Sequence, residues 1–280
     1  MPAAEPGQEF NGRSILRFDP FDRTLHVAIM VTFLGLALTG LPLLFASEDW
    51  SSALARLFGG FRAAGILHRI FATTMIATFL AHLARLGKRL IAGKDFGILW
   101  GPRSMVPQPR DLRELYEHFL YFAGRRPRPR FDHFTYWEKF DYWAVFWGMG
   151  IIGGSGLMLW FPELFARILP GWLFNIAIIV HGEEALLAVV FIFTIHFFNG
   201  HLRPEKFPMD TVIFTGRIPI EEIREERAGE FERLGGGSAL EALAVGPSKP
   251  RILLFGRIGG SLAVMTGLTM VALVVWALFR

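Results

Sequence analysis

Apolar residues gather in five long stretches, at about 26–46, 61–86, 142–161, 172–198 and 252–279, and charge gathers between them. Each stretch reaches the roughly 20 residues that a helix needs to cross a bilayer. In lipid, every backbone N–H and C=O must be paired inside its own segment, so an isolated apolar run of this length is read as a helix. The pattern predicts an all-α integral membrane protein. It forms a transmembrane helix bundle of four core helices plus a fifth C-terminal span, in one membrane domain over residues 1–280.

The connecting segments are uneven. Residues 87–139 and 201–251 are long and charged, whereas 47–62 and 162–171 are short. Residues 125–130 alternate arginine with proline, which excludes a helix and predicts an extended run. Residues 220–234 predict a short surface helix, and the Gly-Gly-Gly-Ser of 235–238 a flexible joint. The third stretch is rich in glycine, at Gly150, Gly153, Gly154 and Gly156. Such residues let helices approach closely in a membrane, and they equally make room for a broad flat group.

The formal charge of +4 does not indicate nucleic acid. Lys and Arg number three in 1–25, twelve in 84–139 and eight in 201–251, against Arg56, Arg62 and Arg167 in the two short connections. That bias is the positive-inside pattern. It predicts a multi-pass protein of the bacterial inner membrane with the N-terminus cytoplasmic, 87–139 and 201–251 cytoplasmic, and the C-terminus periplasmic. No apolar stretch precedes the first span, so that span is expected to act as its own insertion signal. The absence of cysteine excludes covalent c-type haem, thiolate-held iron–sulfur clusters and disulfides.

Five of the eight histidines fall in the spans: His26, His68, His82, His181 and His196. Ionisable side chains in a membrane are costly and point to function. His118, His133 and His201 fall in the charged segments and read as surface residues. The spans alternate in direction, so His68 and His181 share a depth near the outer face, while His26, His82 and His196 share one near the inner face. His68 and His82 are 14 residues apart, which returns to within about 40° of one helix face. His181 and His196 are 15 apart, about 60° off. Along a helix these separations are about 21–22 Å, room for one flat macrocycle per level. Bis-histidine iron moves electrons. Zinc, which takes four ligands, suits paired histidines without carboxylate or thiolate poorly. Arg69, Glu183 and Glu184 lie near the outer level and read as an ion pair or as a partner for a haem propionate.

The sequence resembles the di-haem membrane cytochrome b family that includes the gamma subunit of formate dehydrogenase and the cytochrome b subunit of nickel–iron hydrogenase. The residues that carry it are Phe21-Asp-Arg-Thr-Leu-His26, Gly65-Ile-Leu-His68, Trp137-Glu-Lys-Phe-Asp-Tyr-Trp143 running on to Trp160, and Ile179-Val-His181 through His196. The resemblance implies two non-covalent b-type haems. His68 and His181 would hold the outer one, and His26 and His196 the inner, with His82 as the alternative inner ligand. It also implies a quinone or quinol site at Tyr136, Glu138, Lys139 and Asp141. The implied role is that of an electron-transfer subunit of a quinone-linked oxidoreductase complex in a respiratory chain. Its partners would be membrane lipid, quinone, and a catalytic dehydrogenase or multihaem cytochrome c subunit. The rival reading is a haem-free transporter or scaffold. Three features depart from the family pattern: His82, the fifth span, and a 181–196 spacing one residue longer than usual, which predicts an irregularity in the fourth span.

Overall fold

The computed structural model describes residues 10, 12–207 and 209–279. Five helices are long and apolar enough to cross a bilayer: Pro20–Leu44, Phe61–Ile91, Tyr136–Trp160, Trp172–Leu202 and Pro250–Phe279, hereafter the first to fifth spans. The chain is an all-α membrane protein.

The helices begin and end elsewhere than the apolar runs, because caps and not hydropathy set helix ends. The Asp19 carboxylate accepts the Asp22 N–H at 3.0 Å, and Pro20 fills the first helical position, where no N–H is required. The first span therefore starts six residues before His26. Ahead of the third span, Thr135 N–H donates to Glu138 at 2.8 Å and Glu138 N–H to the Thr135 hydroxyl at 3.4 Å, a reciprocal capping box. That span starts at Tyr136, not near 142.

Two spans are not uniformly α-helical. Five residues of the third, Met149–Gly153, form a π-turn, as do Ile192–His196 and Phe198–Leu202 in the fourth. A π-turn takes up one extra residue without turning the helix beyond it out of register. The 15-residue step from His181 to His196 contains one such turn.

The chain divides into two compact units. One comprises Met1–Arg23, Ala84–Trp143 and Val212–Leu253. Its described residues include three short antiparallel strands, β1 (Ser14–Leu16), β2 (Arg217–Pro219) and β3 (Ala244–Val245), in the order β2-β1-β3. Ile15 pairs with Ile218 and Ser14 with Val245. Phe10, Ile15, Ile218, Ile220, Ile223 and Leu240 form its apolar core. The expected helix over 220–234 is two helices, Ile220–Glu226 and Ala228–Arg233, broken at Arg227. The expected joint at 235–238 is a turn on two left-handed glycines, Gly235 and Gly236, that opens directly into helix Gly236–Ala242.

The other unit, Thr24–Leu83, Ala144–Thr211 and Leu254–Arg280, is the helix bundle. Ala37 and Leu41 of the first span, Val189, Phe193 and Phe197 of the fourth, and Ala263, Val264, Met270 and Val274 of the fifth form its core.

Candidate functional site

In the bundle, His68 and His181 face each other with ring centroids 6.3 Å apart and planes at 77°. Each ring is held through Nδ1. His68 Nδ1 lies 3.1 Å from the Thr39 hydroxyl. His181 Nδ1 lies 3.0 Å from the Ile152 carbonyl and 3.3 Å from the Ser155 hydroxyl. A carbonyl accepts only from N–H, so the His181 proton sits on Nδ1 and Nε2 is left as the Lewis base. This is how metal-ligating imidazoles are oriented. Two metal–imidazole bonds in line put the nitrogens about 4 Å apart. The observed centroid separation exceeds that by little more than the depth of the rings themselves.

The rings sit where they do because two glycines leave space. A β-carbon on Gly156 would stand 2.9 Å from His181 Cε1, and one on Gly40 would stand 3.0 Å from His68 Cε1. Among the described residues, no group of three or more His, Cys, Asp or Glu side chains could hold a bare ion. The donor set is paired imidazoles, which suits a metal whose other ligands come with it in a macrocycle.

His26 lies within electrostatic reach of His196 and also of His201. His82 stands against Phe146, ring centroids 6.2 Å apart. The structure therefore opposes His68 and His181, and puts His26 within electrostatic reach of both His196 and His201. His201, expected at the surface, belongs to the fourth span and is half-buried, with Phe197 5.9 Å away. The apolar run ends at 198, but the π-turns carry the helix on to Leu202. Arg69 lies 5.7 Å from the Trp160 ring centroid, a cation–π contact. Glu184 accepts the Trp147 indole N–H at 3.1 Å, and Glu183 is exposed.

The residues at the start of the third span lie in the other unit, in a dense polar network. Glu138 receives Arg227 at 2.9 and 3.0 Å and Arg17 at 3.5 Å. Lys139 is 1% exposed and donates to both Asp111 oxygens, at 2.7 and 2.9 Å. The Tyr136 hydroxyl is 3.0 Å from His118 Nδ1, and Asp141 is half-buried. The His133 carbonyl accepts from Arg17 at 2.6 Å and from Arg227 at 2.8 Å, and its ring is paired with Glu230.

Burial alone would depress Arg227, but Glu138 and Glu230 outweigh it and hold its pKa above the ordinary value. Arg17 is lowered, first by burial and then by Arg227. Burial would raise Glu230, yet His133, Arg17 and Arg227 hold it below the usual carboxylate range. His118 is a correction to the sequence reading. It is 8% exposed, stacked on Phe122 and edge-on to Phe131, and not a surface residue. Asp111 and Glu114 on the same helix are likewise buried. The burial of Asp111 and Glu114, and the roles of Arg17 and Arg227, are not marked in the sequence pattern.

The family model described as prokaryotic cytochrome b561 matches residues 17–203, which take in the first four spans and every candidate histidine. No curated protein matches the chain.

Proposed function

Since the chain belongs to the prokaryotic cytochrome b561 family, a family of membrane electron-transfer proteins, we propose that it is a di-haem subunit carrying electrons across the bacterial inner membrane between quinone and a redox partner. His68 and His181 would hold the outer haem, and His26 and His196 the inner one. The partner is a catalytic dehydrogenase or a multihaem cytochrome c. The quinone headgroup is met at the start of the third span, by Tyr136 and its neighbours. The N-terminus faces the cytoplasm.

One observation carries the reading: two imidazoles opposed at 6.3 Å inside a bundle of membrane helices, with both Nδ1 atoms engaged. A haem held by two histidines would supply one-electron transfer. The remaining work is the protein's. Thr39, Ile152 and Ser155 fix the rings, and Gly40 and Gly156 leave the space in which they stand. The electrostatic reach of His26 to His196 supports that inner pair.

The test is haem content. Purified protein is expected to be red, with a reduced b-type spectrum and two haems per chain. His68→Ala and His181→Ala each lose one haem, His26→Ala loses the other, and His82→Ala keeps both. A folded but colourless wild type would sink the reading. Loss of a haem in the His82 variant but not in the His26 variant would overturn the inner assignment.

A further inference from the structure

Helix Pro109–Phe122 is turned inside out relative to a helix on a water-exposed surface. Leu112, Tyr116 and Phe119, spaced to lie along one face, are 71%, 63% and 64% exposed. Asp111, Glu114 and His118, spaced along the opposite face, are buried. An exposed apolar face of this kind is suited to contact with a lipid surface. Its polar side meets the start of the third span, the region to which the resemblance assigns the quinone.

Two of the three buried groups are matched: Asp111 with Lys139, and His118 with the Tyr136 hydroxyl. The His118 ring is also walled by Phe122, Phe131 and Trp137, with centroids 4.4, 5.4 and 5.5 Å away. Glu114 lies between them in the helix. It is 7% exposed, and among the described residues it makes no hydrogen bond or ion pair. An unpartnered carboxylate at this burial is expensive. The groups facing it are Arg110, Asp111 and His118 from its own helix, Asp132 from the segment that follows, and Tyr136 and Lys139 from the third span. Burial raises its pKa, Arg110 and Lys139 pull it back, Asp111 and Asp132 add to it, and the result is about 7.

We propose that Glu114 is the proton-exchanging carboxylate of the quinone reaction, working beside the His118–Tyr136 pair, and that Glu138 is a structural clamp for Arg17 and Arg227. The proposal rests on the quinone reading above and assigns its proton. In the direction of quinol oxidation, a quinol O–H bond breaks and the electron pair stays on oxygen. The proton binds the Glu114 carboxylate, leaving a neutral acid and a quinol anion. In the reverse direction the neutral acid returns the proton. The negative charge moves from Glu114 to the quinol oxygen, within the field of Lys139 and Arg110. Glu138, held by two arginines and a capping box, has no such freedom.

The experiment uses full-length, haem-loaded protein in lipid nanodiscs with duroquinol as the probe. Glu114→Gln is expected to keep both haems and full reduction by dithionite. Its reduction by duroquinol should slow about a hundredfold, a typical general-base contribution, and lose the inflection near pH 7. A carboxyl infrared band that titrates between about pH 6 and 8 in the wild type should vanish in the variant. Tyr136→Phe should slow the reaction with the band retained. Glu138→Gln should unfold at lower temperature yet keep the inflection. Wild-type rate and inflection in Glu114→Gln, or absence of the titrating band from the wild type, would overturn the proposal. If dithionite reduces the wild-type haems but no quinol does, the quinone reading itself has failed.

Discussion

Gly156 decides where one imidazole can stand. A methyl group there would lie 2.9 Å from His181 Cε1 and 3.2 Å from its Nδ1, closer than side chains pack. The ring cannot retreat without giving up the Ile152 carbonyl and Ser155 hydroxyl that fix its tautomer. Gly156→Ala should therefore take haem content from two toward one per chain. Gly150→Ala, whose β-carbon would meet nothing within 4 Å, should keep two. The measurement is the ratio of extracted haem to protein. Equal haem in the two variants would show that the opposed rings do not depend on that contact. The span histidines were legible in the sequence because a titratable group at lipid depth stands out against apolar neighbours. Glu114 and His118 were not, because burial of a polar residue in a charged segment depends on which way its helix faces, and that is a tertiary fact. Glu138 was legible as a candidate. Its two arginine partners, 121 and 89 residues away in sequence, were not.

Among the elements, the five spans could be read from hydropathy, but their ends and internal irregularities had other causes. Asp19 and Thr135 start two of them earlier than the apolar runs do. Helix Pro109–Phe122 has a clear amphipathic pattern, yet the usual inference from it, polar side to water, fails here, because the polar side is packed against the protein and the apolar side is the exposed one. The long His181–His196 spacing did announce an irregularity, and a π-turn lies just there, over Ile192–His196. Its consequence can be tested by deletion. Removing Ile195 lets the turn relax to α-helix at the ordinary 14-residue spacing, so His196 keeps its face. Removing Ala188, from regular helix, rotates everything beyond it by about 100°. The Ile195 deletion should retain both haems and the Ala188 deletion only the outer one, read from the reduced spectrum. Equal damage from both would mean that the π-turn does not hold the register.

At the scale of the whole molecule, each compact unit is assembled from three separate stretches of chain, and the last stretch of each lies beyond the family match, which ends at residue 203. Those stretches are nonetheless structural. Ile218, Ile220, Ile223 and Leu240 supply most of one apolar core, and Ala263, Val264, Met270 and Val274 enter the other. The fifth span, plain in sequence and without a histidine, is thus part of the bundle. Between helices in lipid, close packing and not release of water drives association. At Gly267 that packing is tight, because a β-carbon there would collide with the rings of both Phe193 and Phe197. Phe193 and Phe197 flank His196, so pressure at Gly267 is transmitted to the helix that carries the proposed inner ligand. Gly267→Val should cost about 1–3 kcal/mol, lowering the midpoint of thermal loss of the haem absorbance by several degrees. Gly259→Val, on the same helix with nothing within 4 Å of its β-carbon, should leave the midpoint unchanged. If both variants melt like the wild type, the fifth span is an appendage whose contact with the fourth carries no weight in holding the bundle together.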